Sequence, residues 1–79
     1  MEDLRPAFGA RVRKLRTALG LSQEALAERA ELHWTYVSGV ERGIRNPGLN
    51  IIGKLARALE VSPTELLSGV TKPLKRRSG

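Results

Sequence analysis

The segment from Ser22 to Gly43, SQEALAERAELHWTYVSGVERG, constrains this chain more than any other. Ala27 and Ala30 follow Leu26 at helical spacing, and Val37 and Val40 recur three apart. Apolar residues at that period mark two short amphipathic helices. Most of these residues are small, so the two helices can approach closely across a tight junction at Glu31 and Leu32. The local plan is helix, turn, helix, a unit that presents its second helix to a groove.

Length and composition set the outer bounds. Seventy-nine residues make one domain, and a chain this short buries only about 60% of its unfolded surface, so association with a second copy would help it. Cysteine is absent, which excludes disulfides, thiolate metal sites and cysteine nucleophiles and fits a reducing compartment. No apolar run approaches the roughly 20 residues that cross a bilayer, and MEDLRP is acidic where a secretory signal would be basic. The expected location is the cytoplasm, without a membrane partner. A single histidine and carboxylates scattered as helix-surface charge offer no convergent acid-base or nucleophile set, so neither an enzyme nor a metal or cofactor site is expected.

The formal charge of +6 suggests nucleic acid, but its distribution qualifies that inference. Lys72, Lys75, Arg76 and Arg77 supply four of the positives, leaving residues 1–71 with ten basic and eight acidic side chains, a net of +2. Within that part the positives gather on the first helix (Arg11, Arg13, Lys14, Arg16) and at Arg42 and Arg45, while Glu24, Glu28 and Glu31 lie on the second. The helix-turn-helix pattern carries more weight than the overall charge.

Along the chain the spacing predicts an all-α domain of five helices over residues 1–70, followed by a basic, disordered tail over 71–79. Phe8, Val12, Leu15 and Leu19 form the stripe of a helix over about 5–19, with Pro6 tolerated in its first turn and Gly20 as its stop. Ser22 caps a second helix running to about Ala30. His33 takes the N-cap place of a third, Trp34 to Arg42, which Gly43 ends. Leu49, Ile52, Leu55, Ala56 and Leu59 give a fourth stripe. Gly53 within it costs about 1 kcal/mol relative to alanine, and its small size suits close packing. Ser62-Pro63-Thr64-Glu65 is a capping box that opens a short fifth helix reaching about Ser68. TKPLKRRSG has little to bury.

The succession LRxxxGLSQEALA, TYVSGVERGxRNPxL and KLARALEVSPxELL resembles the lambda-repressor-like DNA-binding domains of the Xre/Cro type over about residues 8–68. TYVSGVERG with the following Arg45-Asn46 is most similar to the controller proteins of restriction-modification systems. The resemblance implies a third helix that enters the major groove of double-stranded DNA. It places Gln23 in the first turn of the second helix, where its carboxamide and the free backbone amides can hold one phosphate; the alternative is an exposed polar residue. Thr35 and Ser38 offer hydroxyls to base edges from one helical face, or are simply solvated. Gly39 implies that a side chain there would collide with DNA or a neighbouring helix.

Trp34 stands where the controller-like proteins often carry an arginine that grips guanine. Tryptophan can instead meet a thymine methyl, lie along the sugar-phosphate edge, or cover the end of the helical pair. The Tyr36 ring can pack on the scaffold while its hydroxyl reaches phosphate. His33 caps the helix or contacts phosphate, and Arg45 and Asn46, joined by Arg42, are placed for phosphate or the groove edge. Glu31 replaces the glycine usual in the turn, at a cost on the order of 1 kcal/mol. Arg16 and Glu41 match a partly buried ion pair that fixes the first helix against the third.

One such domain reads four or five base pairs, so the resemblance implies a homodimer joining two half-sites roughly 34 Å apart. Candidate interface residues are Ile44, Leu49, Asn50, Leu66, Leu67 and Val70. The resulting reading is a transcriptional regulator on a pseudo-palindromic operator, possessing no cofactor, with RNA polymerase a further partner if it activates. A restriction-modification controller is the favoured subtype. A prophage-type repressor, or an antitoxin or adaptor whose main partner is a protein, are the alternatives.

Overall fold

Backbone hydrogen bonding at the helix ends organises this chain. The computed structural model describes residues 2–70, among which lie five helices and no strand: α1 (Arg5–Ala18), α2 (Gln23–Ala30), α3 (Trp34–Glu41), α4 (Leu49–Ala58) and α5 (Pro63–Leu66). The basic tail expected over residues 71–79 lies outside the described residues. Ser22 Oγ accepts from Ala25 N, and Ser62 Oγ from Glu65 N, both at 3.0 Å, each satisfying an amide that its helix leaves orphaned.

At their C-termini α1 to α4 stop in the same way. A residue of positive φ follows the last turn, and the next amide reaches back across it: Leu21 N to Arg16 O, Leu32 N to Ala27 O, Ile44 N to Gly39 O and Val61 N to Ala56 O, at 2.8–3.1 Å. Glycine fills the positive-φ position at Gly20 and Gly43, but Glu31 (φ 58°) and Glu60 (φ 63°) fill it at the ends of α2 and α4. The strained turn expected at Glu31 is present; the one at Glu60 has no counterpart in the sequence reading. The two glutamates answer each other. Glu31 pairs with Arg57 at 3.4 Å, and Glu60 pairs with Arg29 at 3.1 Å, so the ends of α2 and α4 are cross-braced by exposed ion pairs.

The core joins Phe8 and Val12 of α1 to Leu26, Ala27 and Ala30 of α2, Val37 and Val40 of α3, Leu55, Ala56 and Ala58 of α4 with the adjoining Leu59, and Leu66 of α5 with Val70. Leu19 departs from the predicted stripe: it follows the last turn of α1 and is exposed, since no element covers that end. Leu49 likewise stays in solvent at the start of α4. Gly53 has no neighbouring atom within 4 Å of where a Cβ would stand, so close packing does not explain it.

Gly9 is the glycine that packing requires. A Cβ there would overlap the Val40 carbonyl oxygen and stand 2.8 Å from the Glu41 carbonyl oxygen, so α1 crosses the end of α3 with backbone against backbone. Gly9→Ala therefore destabilises the fold by about 2–4 kcal/mol in urea unfolding, because backbone atoms cannot step aside as a side chain can. Glu31→Gly has the opposite sign. It removes left-handed strain, gives up an exposed ion pair of small value and stabilises by about 0.5–1 kcal/mol in the same measurement.

Candidate nucleic-acid interface

The direction of α3 is fixed by a charged bracket at its C-terminal end. Arg16 Nε donates to Glu41 Oε2 at 2.6 Å and Arg16 Nη2 donates to Glu41 Oε1 at 2.9 Å, a two-pronged pair linking α1 to α3. The side chains are only 12% and 4% exposed, and each ion makes a further hydrogen bond. Arg16 Nη1 donates to the Leu21 carbonyl at 2.8 Å, and Gln23 Nε2 donates to Glu41 Oε1 at 3.1 Å. The hydrogen bond to Glu41 raises the pKa of Arg16 above arginine's ordinary value, against the opposing effect of burial. Arg16 thus stays charged through neutral pH, and its contribution is lost only as pH rises beyond the usual arginine range. Gln23, read from the sequence as a phosphate ligand, here orients the Glu41 carboxylate, while its amide nitrogen keeps one further proton.

The outward surface of α3 carries the remaining sequence-selected residues. His33 caps the helix: its Nδ1 accepts from Thr35 N at 3.2 Å and stands 2.7 Å from Thr35 Oγ1. Trp34 is 49% exposed and does not join the hydrophobic cluster, so it does not cover the helical pair. Its ring instead stacks loosely on His33, centroids 6.3 Å apart and planes 27° apart. Thr35 is exposed and Ser38 half-buried. Tyr36 packs against the core with one face, and the Arg45 guanidinium lies 5.3 Å from its ring centroid, within cation–π range.

Gly39 belongs to this arrangement in a way the sequence did not reveal. The atom a Cβ would meet is Arg45 Cγ, at 2.8 Å. No neighbouring helix crowds the glycine; the Arg45 side chain runs past it on its way to Tyr36. Arg42 and Asn46 are exposed. Asn46 also lines a groove with Leu4, Phe8, Pro47, Ile52 and Leu67.

Two of the expected interface residues are corrected. Leu66 is fully buried and Val70 nearly so, because α5 folds its apolar side back onto the core of the same chain. Ile44, Leu49 and Leu67 remain exposed, as does Asn50. No helix among the described residues is long and apolar enough to cross a membrane.

A family model described as Helix-turn-helix matches residues 12–66. The chain belongs to this helix-turn-helix family, within the Xre/Cro group of DNA-binding transcription regulators, a family of regulators and not of enzymes. Restriction-modification controllers stand out among its relatives. The control protein C.BamHI of Bacillus amyloliquefaciens is 44% identical over 70 residues, covering 87% of this chain and 86% of that protein. The control protein C.MunI of a Mycoplasma species is 37% identical over 73 residues, covering 91% and 99%. The crystal structure of the restriction-modification controller protein C.AhdI from Aeromonas hydrophila superposes with a TM-score of 0.77 at 58% identity, covering 81% of this chain and 96% of that one.

Breaking the bracket tests its architectural weight. Arg16→Met strands a buried carboxylate and costs about 3–5 kcal/mol in urea unfolding, whereas the double variant Arg16→Met/Glu41→Leu recovers most of the loss by removing the stranded charge as well.

Proposed function

We propose that this chain is the controller of a restriction-modification operon, a homodimer that binds a pseudo-palindromic operator and regulates transcription from it. The observation that carries the reading is the outward face of α3, oriented by the Arg16–Glu41 bracket and flanked by Arg42, Arg45 and Asn46. Base edges meet Trp34, Thr35 and Ser38; phosphates meet His33, the Tyr36 hydroxyl, the free proton of the Gln23 amide and the loop arginines. The shares matched on both sides, 87% of this chain and 86% of C.BamHI, and 91% and 99% for C.MunI, support the controller reading.

Two copies meet through exposed apolar side chains that the monomer leaves uncovered, Ile44, Leu49 and Leu67, with Asn50 beside them. Pairing sets two α3 helices about one turn of DNA apart. The basic residues of 71–79 add phosphate attraction without sequence preference. The protein works in the cytoplasm, and RNA polymerase is its partner where the dimer activates.

The purified protein should bind DNA from its own upstream region at least 10³-fold more tightly than scrambled DNA, with affinity falling as salt rises and two-fold-symmetric protection of the site. Equal affinity for both DNAs, or a monomer in sedimentation at high micromolar concentration, would sink the proposal. Gly39→Ala separates recognition from folding. The added methyl displaces the Arg45 side chain, so operator affinity drops about fivefold while unfolding stability stays within about 1 kcal/mol of the parent.

A further inference from the structure

We infer that His33 sets the hydrogen-bonding polarity of Thr35, leaving its hydroxyl oxygen able only to accept, so that Thr35 selects a base presenting an amine. The inference deepens the proposed function and rests on α3 being the helix that meets base edges.

One ring nitrogen sets this polarity. His33 Nδ1 lies 3.2 Å from Thr35 N, whose N–H points at it. A backbone amide can only donate, so Nδ1 must present its lone pair, and the proton of the uncharged ring sits on Nε2. The same Nδ1 lies 2.7 Å from Thr35 Oγ1. With no proton on Nδ1, that contact has one possible sense: the threonine hydroxyl donates. Threonine has a single hydroxyl proton, and once it is directed at Nδ1 the oxygen has only lone pairs to offer elsewhere. The Trp34 ring, stacked on the imidazole at 6.3 Å, helps hold it in this orientation.

The major groove makes this polarity legible. Adenine N6 and cytosine N4 are donors, whereas guanine O6 and N7 and thymine O4 are acceptors. An acceptor-only hydroxyl favours the first pair and repels the second. Unconstrained, a threonine hydroxyl rotates to suit either kind and discriminates little. His33 therefore acts as a positioning residue for specificity, whether or not it touches DNA itself.

The test has two arms. The chain contains one histidine, so nitrogen-correlated NMR of the free protein with its ring uncharged reads the tautomer without ambiguity. The expected spectrum has Nδ1 unprotonated and Nε2 protonated, and a protonated Nδ1 overturns the inference independently of any DNA. In the second arm the base pair under Thr35 is located on the upstream DNA as the position whose preference disappears in Thr35→Val. Reversing that pair, so that an acceptor replaces the amine, should weaken binding by the parent protein about fivefold to tenfold. In His33→Ala the penalty should shrink below twofold, and His33→Asn, which caps through its carbonyl oxygen, should restore it. An undiminished penalty in His33→Ala overturns the inference and leaves the regulator intact. A parent protein that does not distinguish its upstream DNA from scrambled DNA removes the regulator reading and the base preference together.

Discussion

The bidentate contact between Arg16 and Glu41 is the interaction on which the geometry of this domain depends. It joins α1 to α3, while the guanidinium also donates to the Leu21 carbonyl and the carboxylate also accepts from the Gln23 amide, so α1, the turn after it, α2 and α3 meet around one ion pair. Such a pair adds little net stability over an apolar replacement, because taking both ions out of water offsets most of their attraction. Its value lies in direction: the planar guanidinium fork accepts the carboxylate in one arrangement. The core holds the helices together, and the bracket determines how α3 is turned.

Gly9 gives the same junction its closeness. With no side chain between them, the backbones of α1 and α3 touch where α3 ends, and the ion pair spans the rest of the crossing. Further out, Gly39 plays a related part by giving the Arg45 side chain a path across α3 to the Tyr36 ring. Two glycines thus serve two different contacts on one short helix. The first is a requirement of folding; the second arranges a surface residue and leaves the core untouched.

Much of this was legible in the sequence because it is local. Helix positions followed from the three-four spacing of Phe8, Val12 and Leu15 and of Leu26 and Ala30, and the starts from Ser22, His33 and Ser62, whose side chains bond amides two or three residues away. The turn at Glu31 could be read because a short gap between two helices leaves few backbone routes. What escaped depends on partners distant in sequence. Gly9 is explained by Val40 and Glu41, Gly39 by Arg45, and the burial of Leu66 and Val70 by a core assembled from the other four helices. Glu60 was missed for another reason. Nothing adjacent to it marks a turn, and its left-handed conformation shows only in the bond that Val61 returns to Ala56. The site divides along the same line: the residues of α3 follow from the motif, while the hydrogen-bond polarity of Thr35 needs atomic positions.

The uniform way in which α1 to α4 stop bears on how such a protein can change. Reversing the chain within one or two residues leaves the other connections almost no freedom, and an insertion inside any helix would rotate everything after it by about 100° per residue. The stretch between Glu41 and Leu49 is the longest connection among the described residues, and it holds Arg45 and Asn46. Variation there can lengthen or shorten the reach of the cationic edge without disturbing the packed helices, so the preferred target and the integrity of the fold can evolve largely apart.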